Sequence, residues 1–274
     1  MKIGLIITTY NRPNALKLVL DALAAQTVLP YEVLIADDGS TTETKTILHE
    51  LAPTLPYMLK HCWQEDDGFR VARARNLAIV SSTSDYLIFL DGDCVPLVNF
   101  VENHRDLAEL GWFVAGNRVL LNRCFTNLIL EKHITIYNYK FHHWVMQYLN
   151  RRINRILPLC PFYLSPSWRV FFPRRWQGAK SCNLAIWRRD LLDVNGFDEN
   201  FQGWGYEDSD LAVRLIRHNI YRKSGYFLVP VIHLWHPVQN RDHEILNRKR
   251  LEISINNTEI IAKYGLQQHS KNQP

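Results

Sequence analysis

The sequence lacks several things, and each absence removes a class of protein. Nowhere do 18 uncharged apolar residues run together; the best candidate, Ile156 to Phe172, holds three prolines and Arg169. No spanning helix is therefore expected. The first apolar run gives way to polar residues by Thr8, too soon for the apolar segment of a signal peptide, so a cytoplasmic location is expected. The five cysteines (Cys62, Cys94, Cys124, Cys160, Cys182) are odd in number and show no C-x-x-C spacing. That pattern points to free thiols in a reducing compartment rather than to disulfides or a zinc site. There is no internal repeat and no low-complexity stretch, and Gly and Pro number only 12 each in 274 residues, which excludes fibres and default disorder. With 47% apolar and 22% charged residues, the chain has the makeup of a globular protein of one large domain, or of a domain carrying an insertion.

Acidic residues are missing from one long stretch. Between Lys132 and Arg189 there is no Asp or Glu, yet there are eleven Lys or Arg and twelve aromatics, so the rest of the chain holds 21 basic against 27 acidic residues. The formal charge of +5 thus resides in one segment. Runs such as Trp168-Arg169-Val170-Phe171-Phe172-Pro173-Arg174-Arg175-Trp176 suit an anionic bilayer surface, where rings sit at headgroup level and cations meet phosphates. They also suit nucleic acid, or a solvated basic face over an aromatic subcore.

The first 110 residues alternate between two periods. Ile3 to Ile7 has buried-strand length and is followed by Arg12-Pro13 and a helical face of Ala15, Leu16, Val19, Leu20 and Leu23. Glu32 to Ala36 precedes Asp37-Asp38-Gly39-Ser40 and a helix over about 42–51; a helix over about 71–80 leads into the strand 85–90. This alternation predicts an α/β protein with a parallel sheet covered on both faces, whose ligands lie at the carboxyl ends of the strands. Further on, a helix is expected over 209–218 and another over 241–264, with a frayed polar end after Gly265.

The residues that follow the strands carry the chemistry. Asp91-Gly92-Asp93 puts two carboxylates on one tight turn, where a hard cation such as Mg²⁺ or Mn²⁺ would satisfy both and leave positions for substrate phosphates. Asp38 can accept from a base N–H or ribose hydroxyls, and Thr8 and Tyr10 could hold a nucleobase. Arg70, Arg73, Arg75 and Asn76 open a helix, where cation and backbone N–H can meet a diphosphate; Arg70 and Arg75 read equally well as surface charges. Glu207-Asp208 could supply a general base or merely cap a helix. His233 and His236, near the end of a predicted strand, could add a nitrogen ligand to the metal.

The order Thr8-Thr9-Tyr10-Asn11-Arg12-Pro13, Asp37-Asp38-Gly39-Ser40, Ala72-Arg73-Ala74-Arg75-Asn76, Leu90-Asp91-Gly92-Asp93 resembles the nucleotide-sugar half of family 2 glycosyltransferases of the A-type (GT-A) fold. Gly178 to Asn183, Asn195 to Glu199 and Trp204 to Asp210 look like the acceptor-side segment of galactosyltransferases and chondroitin-polymerase-type enzymes. The resemblance covers residues 1–116 and 177–237 and leaves 117–176 unmatched. It implies a Rossmann-like GT-A domain with a mostly parallel central sheet: a donor half (1–116), a basic aromatic insertion (117–176) and an acceptor and catalytic half (177–274). It further implies a metal-dependent inverting transferase that moves a hexose or N-acetylhexosamine from a UDP-sugar to a glycan hydroxyl. By position, Thr8, Tyr10, Asn11, Arg12, Asp38, Arg73, Asn76, Asp91 and Gly92 would serve the donor. Asp91 and Asp93 with His233 or His236 would hold Mn²⁺ or Mg²⁺. Asp208 would be the base, and Glu207, Trp204, Gly205 and Asn183 would meet the acceptor. The expected partners are the UDP-sugar, a lipid-linked glycan and an anionic membrane surface, with no nucleic acid.

Overall fold

A computed structural model describes residues 1–238 and 240–270. Strands β1 (Ile3–Thr9), β2 (Glu32–Asp37), β3 (Met58–Trp63) and β4 (Tyr86–Asp91) alternate with α1 (Pro13–Ala24), α2 (Thr42–Leu51) and α3 (Val71–Ser81). Pro13 opens α1, where its missing N–H leaves no bond unmade. β2 is buried at every position, as a strand covered on both faces must be. Successive side chains serve opposite cores. Leu5, Ile7, Val33, Ile35, Ile88 and Leu90 pack with Leu16, Val19, Leu20 and Leu23 of α1. Ile6, Leu34, Ala36, Leu87 and Phe89 pack with Ala72, Ala74, Ala78 and Ile79 of α3. Phe89 and Phe197 meet edge to face at 5.3 Å in the second core, where truncating either ring would cost about 3–5 kcal/mol. β3 is the partly exposed edge of the sheet, and its weak apolar pattern gave no strand signal in the sequence.

The chain then adds β5 (Cys94–Pro96), α4 (Phe100–Leu107), β6 (Trp112–Ala115) and β7 (Asn117–Leu120). Next come α5 (Arg123–Lys132), α6 (Phe141–Leu149) and α7 (Pro166–Arg169), then β8 (Asn183–Trp187), α8 (Arg188–Asp193), α9 (Glu207–Arg217), β9 (Tyr221–Ser224), β10 (Pro230–His233) and α10 (Glu244–Asn256). The main sheet has the order β3-β2-β1-β4-β8-β6-β9, and β8 alone runs against the other strands. The sheet is thus mostly parallel rather than wholly so. A second sheet, β5-β10-β7, has β10 at its centre. The acid-free segment is anchored in part: Ile136, Trp144 and Ile153 are buried in the first core, whereas Phe162, Tyr163, Trp168, Phe171 and Phe172 are exposed.

Three local expectations are corrected. α9 starts at Glu207 rather than at 209, because Tyr206 takes a left-handed conformation (φ 76°) that turns the chain directly into the helix. The helix expected over 241–264 is limited to α10: Arg217 binds the carbonyls of Ile255 and Glu259 and the side chain of Asn257, which ends the helix by capturing its terminal acceptors. The end beyond Gly265 is docked rather than frayed. Leu266 is buried in the second core, and a Cβ on Gly265 would lie 1.9 Å from the Asn195 carbonyl oxygen. Residues 271–274 of that expected frayed end lie outside the described residues.

Candidate active site

The carboxyl ends of β1, β2 and β4 open into a cleft of about 730 Å³. Thr8, Tyr10, Arg12, Asp38, Asp91, Gly92 and Asp93 line one side, and Trp204, Gly205, Glu207, Asp208, His233 and His236 complete it. Gly92 allows a close crossing: its N–H donates to the Thr8 carbonyl at 2.7 Å, and a Cβ there would lie 3.1 Å from that oxygen.

Arg75 joins the two carboxylate pairs. Its guanidinium donates to Thr8 Oγ1 at 3.0 Å, to Glu207 Oε1 at 2.9 Å and to Asp91 Oδ1 at 3.4 Å. It is 3% exposed, so it is no surface charge; it is the counter-ion of the site. The sequence left that choice open, since its partner Glu207 lies 132 residues away.

On the β2 side, Asp38 is buried and takes the Arg70 backbone N–H at 2.9 Å and the Gln64 side-chain amide. Burial pushes its carboxyl up to about 6, opposed by these donors. Tyr10 stands exposed at the rim and donates to Asp66 at 3.0 Å. Asn11 stands outside the cleft lining: it has φ 48°, its side chain accepts from the Thr41 N–H and its own N–H donates to Ser40 Oγ. It clamps the β1 and β2 loops together.

On the β10 side, Asp93 gathers partners. Arg12 pairs with one of its oxygens and also donates to the Trp235 carbonyl at 3.2 Å. His233 Nε2 and His236 Nε2 each stand 3.5 Å from an Asp93 oxygen. The His233–Cys94 pairing across β10 and β5 sets this approach, since it puts His233 opposite the residue that follows Asp93. Burial, with help from Arg118, lowers His233 to about 4, so it is a neutral imidazole at neutral pH. The Asp93 carboxylate and the His233 nitrogen, within 4.8 Å of each other, are donors that suit Mn²⁺ or Mg²⁺ completed by phosphate oxygens, with Asp91 on the same turn. Both histidines remain within reach of Asp93.

Asp208 faces the cleft from the first turn of α9. Its Oδ2 accepts from the Ser181 N–H at 3.3 Å. Burial, and then the charge of Glu207, push its carboxyl up to about 7, the range in which a base works best at neutral pH. Two glycines with positive φ, Gly203 (73°) and Gly205 (102°), flank Trp204, and Arg241 lies 4.3 Å over the Trp204 ring.

Besides Asn11, three of the expected site residues lie apart from the cleft lining. Arg73 donates to Gln64 at 2.7 Å. Asn76 is fully buried and ties α3 to the 197–199 loop through Phe197 and Glu199. Asn183 is buried and donates to the carbonyls of Asn117 and Val229. Conversely, Arg118, Lys180, Ser181 and Trp235 line the cleft without having been singled out. Lys180 and Ser181 fall inside the segment Gly178 to Asn183 and Trp235 stands between the two histidines, whereas Arg118 lies in no motif of the sequence.

The model of glycosyl transferase family 2 matches residues 5–172, and that of the N-terminal domain of galactosyltransferase matches 168–228. Validoxylamine A glucosyltransferase of Streptomyces hygroscopicus subsp. limoneus is 31% identical over 230 residues, covering 80% of this chain and 48% of its own. The chain thus spans about half the length of that curated relative. S. aureus TarS 1-349, solved in complex with UDP, superposes with a TM-score of 0.60 at 14% identity, covering 98% of this chain and 68% of that one. The mannosyltransferase PcManGT from Pyrobaculum calidifontis, solved with GDP-Man and Mn²⁺, has a TM-score of 0.54 at 18% identity, covering 93% and 62%. The fold is of the GT-A type.

Proposed function

Because the chain belongs to glycosyl transferase family 2, we propose that it moves a hexose or N-acetylhexosamine from a UDP-sugar to a hydroxyl of a glycan acceptor, with inversion at the anomeric carbon. The observation that carries this reading is the joining of two carboxylate pairs across one cleft by the buried Arg75. One pair lies where a donor diphosphate would sit and the other where an acceptor would enter. Thr8, Tyr10 and Asp38 hold the uridine, and Arg75 rather than Arg73 is the arginine placed to meet the donor. Asp91 and Asp93, with His233 or His236, would hold Mn²⁺ or Mg²⁺, which when bound neutralises charge on the leaving diphosphate.

Asp208 takes the proton from the acceptor hydroxyl as that oxygen attacks the anomeric carbon from the side opposite the diphosphate. Glu207, fixed by Arg75, keeps Asp208 basic through its own negative charge and orients the acceptor. Trp204 offers a ring face to the acceptor sugar. One base and one displacement give an inverted product. The acceptor in this reading is a lipid-linked glycan of surface polysaccharide assembly, such as lipopolysaccharide or capsule, reached at the anionic inner face of the cell membrane. The UDP complex of the TarS fold neighbour and the Mn²⁺ complex of the mannosyltransferase support the donor and metal classes.

The test is the thermal midpoint with UDP, GDP, CMP and ADP, each with and without Mn²⁺, since a ligand that binds the folded state raises stability by mass action. A rise with UDP that needs the metal is expected. No response to any nucleotide overturns the donor assignment.

A further inference from the structure

The segment from Phe162 to Arg175 carries the largest cluster of exposed rings: Phe162 (58%), Tyr163 (77%), Trp168 (66%), Phe171 (63%) and Phe172 (59%). Trp168 and Phe171 stack at 5.8 Å, and Phe171 meets Phe172 edge to face at 4.8 Å. Arg175 lies 5.9 Å over the Phe172 ring. The rings therefore form a self-supporting ledge whose outer faces have no cover among the described residues. The ledge is anchored from beneath: Arg169, 5% exposed, donates to the carbonyls of Ser224 and Tyr226, and Arg222 donates to those of Arg175 and Gln177.

The surrounding charge has one sign. Among the described residues, none of the nine Lys or Arg from Lys132 to Lys180 is in an ion pair. Elsewhere cations commonly find carboxylates; here the exposed ones, Arg174 and Arg175 among them, are left for an external anion. Eight residues beyond Phe172, the same strand of chain reaches Lys180 and Ser181, which line the cleft beside Asp208.

We infer that this ledge, Trp168, Phe171 and Phe172 with Arg174 and Arg175, is the surface by which the protein seats on an anionic bilayer. It deepens the proposed function, on which it rests for the lipid-linked acceptor, by assigning the contact and the direction from which that acceptor arrives. Rings of this kind enter the headgroup region while the guanidinium groups meet lipid phosphates. Charge complementarity favours the bilayer, and the rings pack on one another into one apolar patch rather than standing as separate platforms for successive bases. The bilayer so held lies next to the Lys180–Asp208 side of the cleft.

The experiment is sedimentation of the full chain with vesicles of phosphatidylcholine alone and of phosphatidylcholine with about 30% phosphatidylglycerol. Binding to the anionic vesicles only is expected. Each lost arginine should weaken the partition about fivefold, so R174S/R175S loses roughly twentyfold or more, and W168S/F171S/F172S loses binding at least as strongly. The UDP-dependent rise in thermal midpoint, measured without vesicles, checks that each variant is folded and has kept its donor site. Equal binding to both vesicle types overturns the inference. So does unchanged vesicle binding by folded ledge variants, and so does binding to duplex DNA in place of vesicles. Loss of the UDP response in the wild type, with vesicle binding intact, counts against the donor reading alone.

Discussion

Replacing Arg75 with Met should test the centre of the site. The methionine fills much of the aliphatic volume but leaves Glu207 without its counter-ion. The Arg75 and Glu207 side chains are 4% and 9% exposed, so water cannot take over the lost role. Breaking such a pair by removing one partner costs about 3–5 kcal/mol. At about 2–4 °C per kcal/mol for a chain of this size, Tm should fall by roughly 6–20 °C. Urea unfolding of R75M, E207Q and the double variant, followed by tryptophan fluorescence, forms a cycle. The double variant should be clearly more stable than the sum of the single losses predicts, because the stranded charge has gone with its partner. Additivity within about 0.5 kcal/mol would refute the pairing, and with it the claim that Arg75 ties the two halves of the cleft together.

Other outcomes follow from the same geometry. Asp208→Asn should abolish transfer while keeping the UDP-dependent thermal rise; retained turnover would remove Asp208 from the role of base. The folded-state carboxyl of Asp208 stands near 7 against an ordinary value of 3.8, so the folded protein holds an extra proton between these values. Wild-type stability should decline as pH rises from about 4 to 7, the D208N profile should be flatter there, and wild-type kcat should fall below about pH 7. His233→Ala and His236→Ala, titrated with Mn²⁺ in the presence of UDP by calorimetry, should separate the two candidate ligands, with the true one losing about tenfold or more in metal affinity. If neither changes, the nitrogen ligand is wrongly assigned. Gly265→Ala should lower Tm by several degrees, because the new methyl collides with the Asn195 carbonyl; an unchanged Tm would mean that the C-terminal segment is not docked.

Apart from β3, strand and helix positions from Ile3 to Leu90 were legible because both periods are local properties of short windows. The alternation from Ile3 to Leu90 needed nothing from the rest of the chain. Site residues at strand ends, Thr8, Asp38, Asp91 and Asp93, were legible for the same reason: topology puts them at one rim. Arg75 was ambiguous because an arginine on a helix face reads as solvated unless its distant partner is known. Asn76 and Asn183 drew notice through their motifs, yet their amides satisfy loop carbonyls below the cleft, a role that only tertiary packing reveals. The reversed direction of β8 and the central place of β10 depend on long connections, which leave no periodic trace.

The position of β10 has a consequence for how such a protein can change. His233 is held by ladder pairing on both flanks, to Cys94 of β5 and to Leu120 of β7, so the carboxylate turn and the imidazole are stapled within one small sheet. The chain from Leu121 to Val229 leaves that staple and returns to it. Its outermost portion, from Phe162 to Arg175, is a span whose length contributes to loop-closure entropy only logarithmically. Exchanging or lengthening that span would redirect the protein to another surface while the distance between Asp93 and His233 stays the same. Where the molecule docks and what its centre does are therefore separable parts.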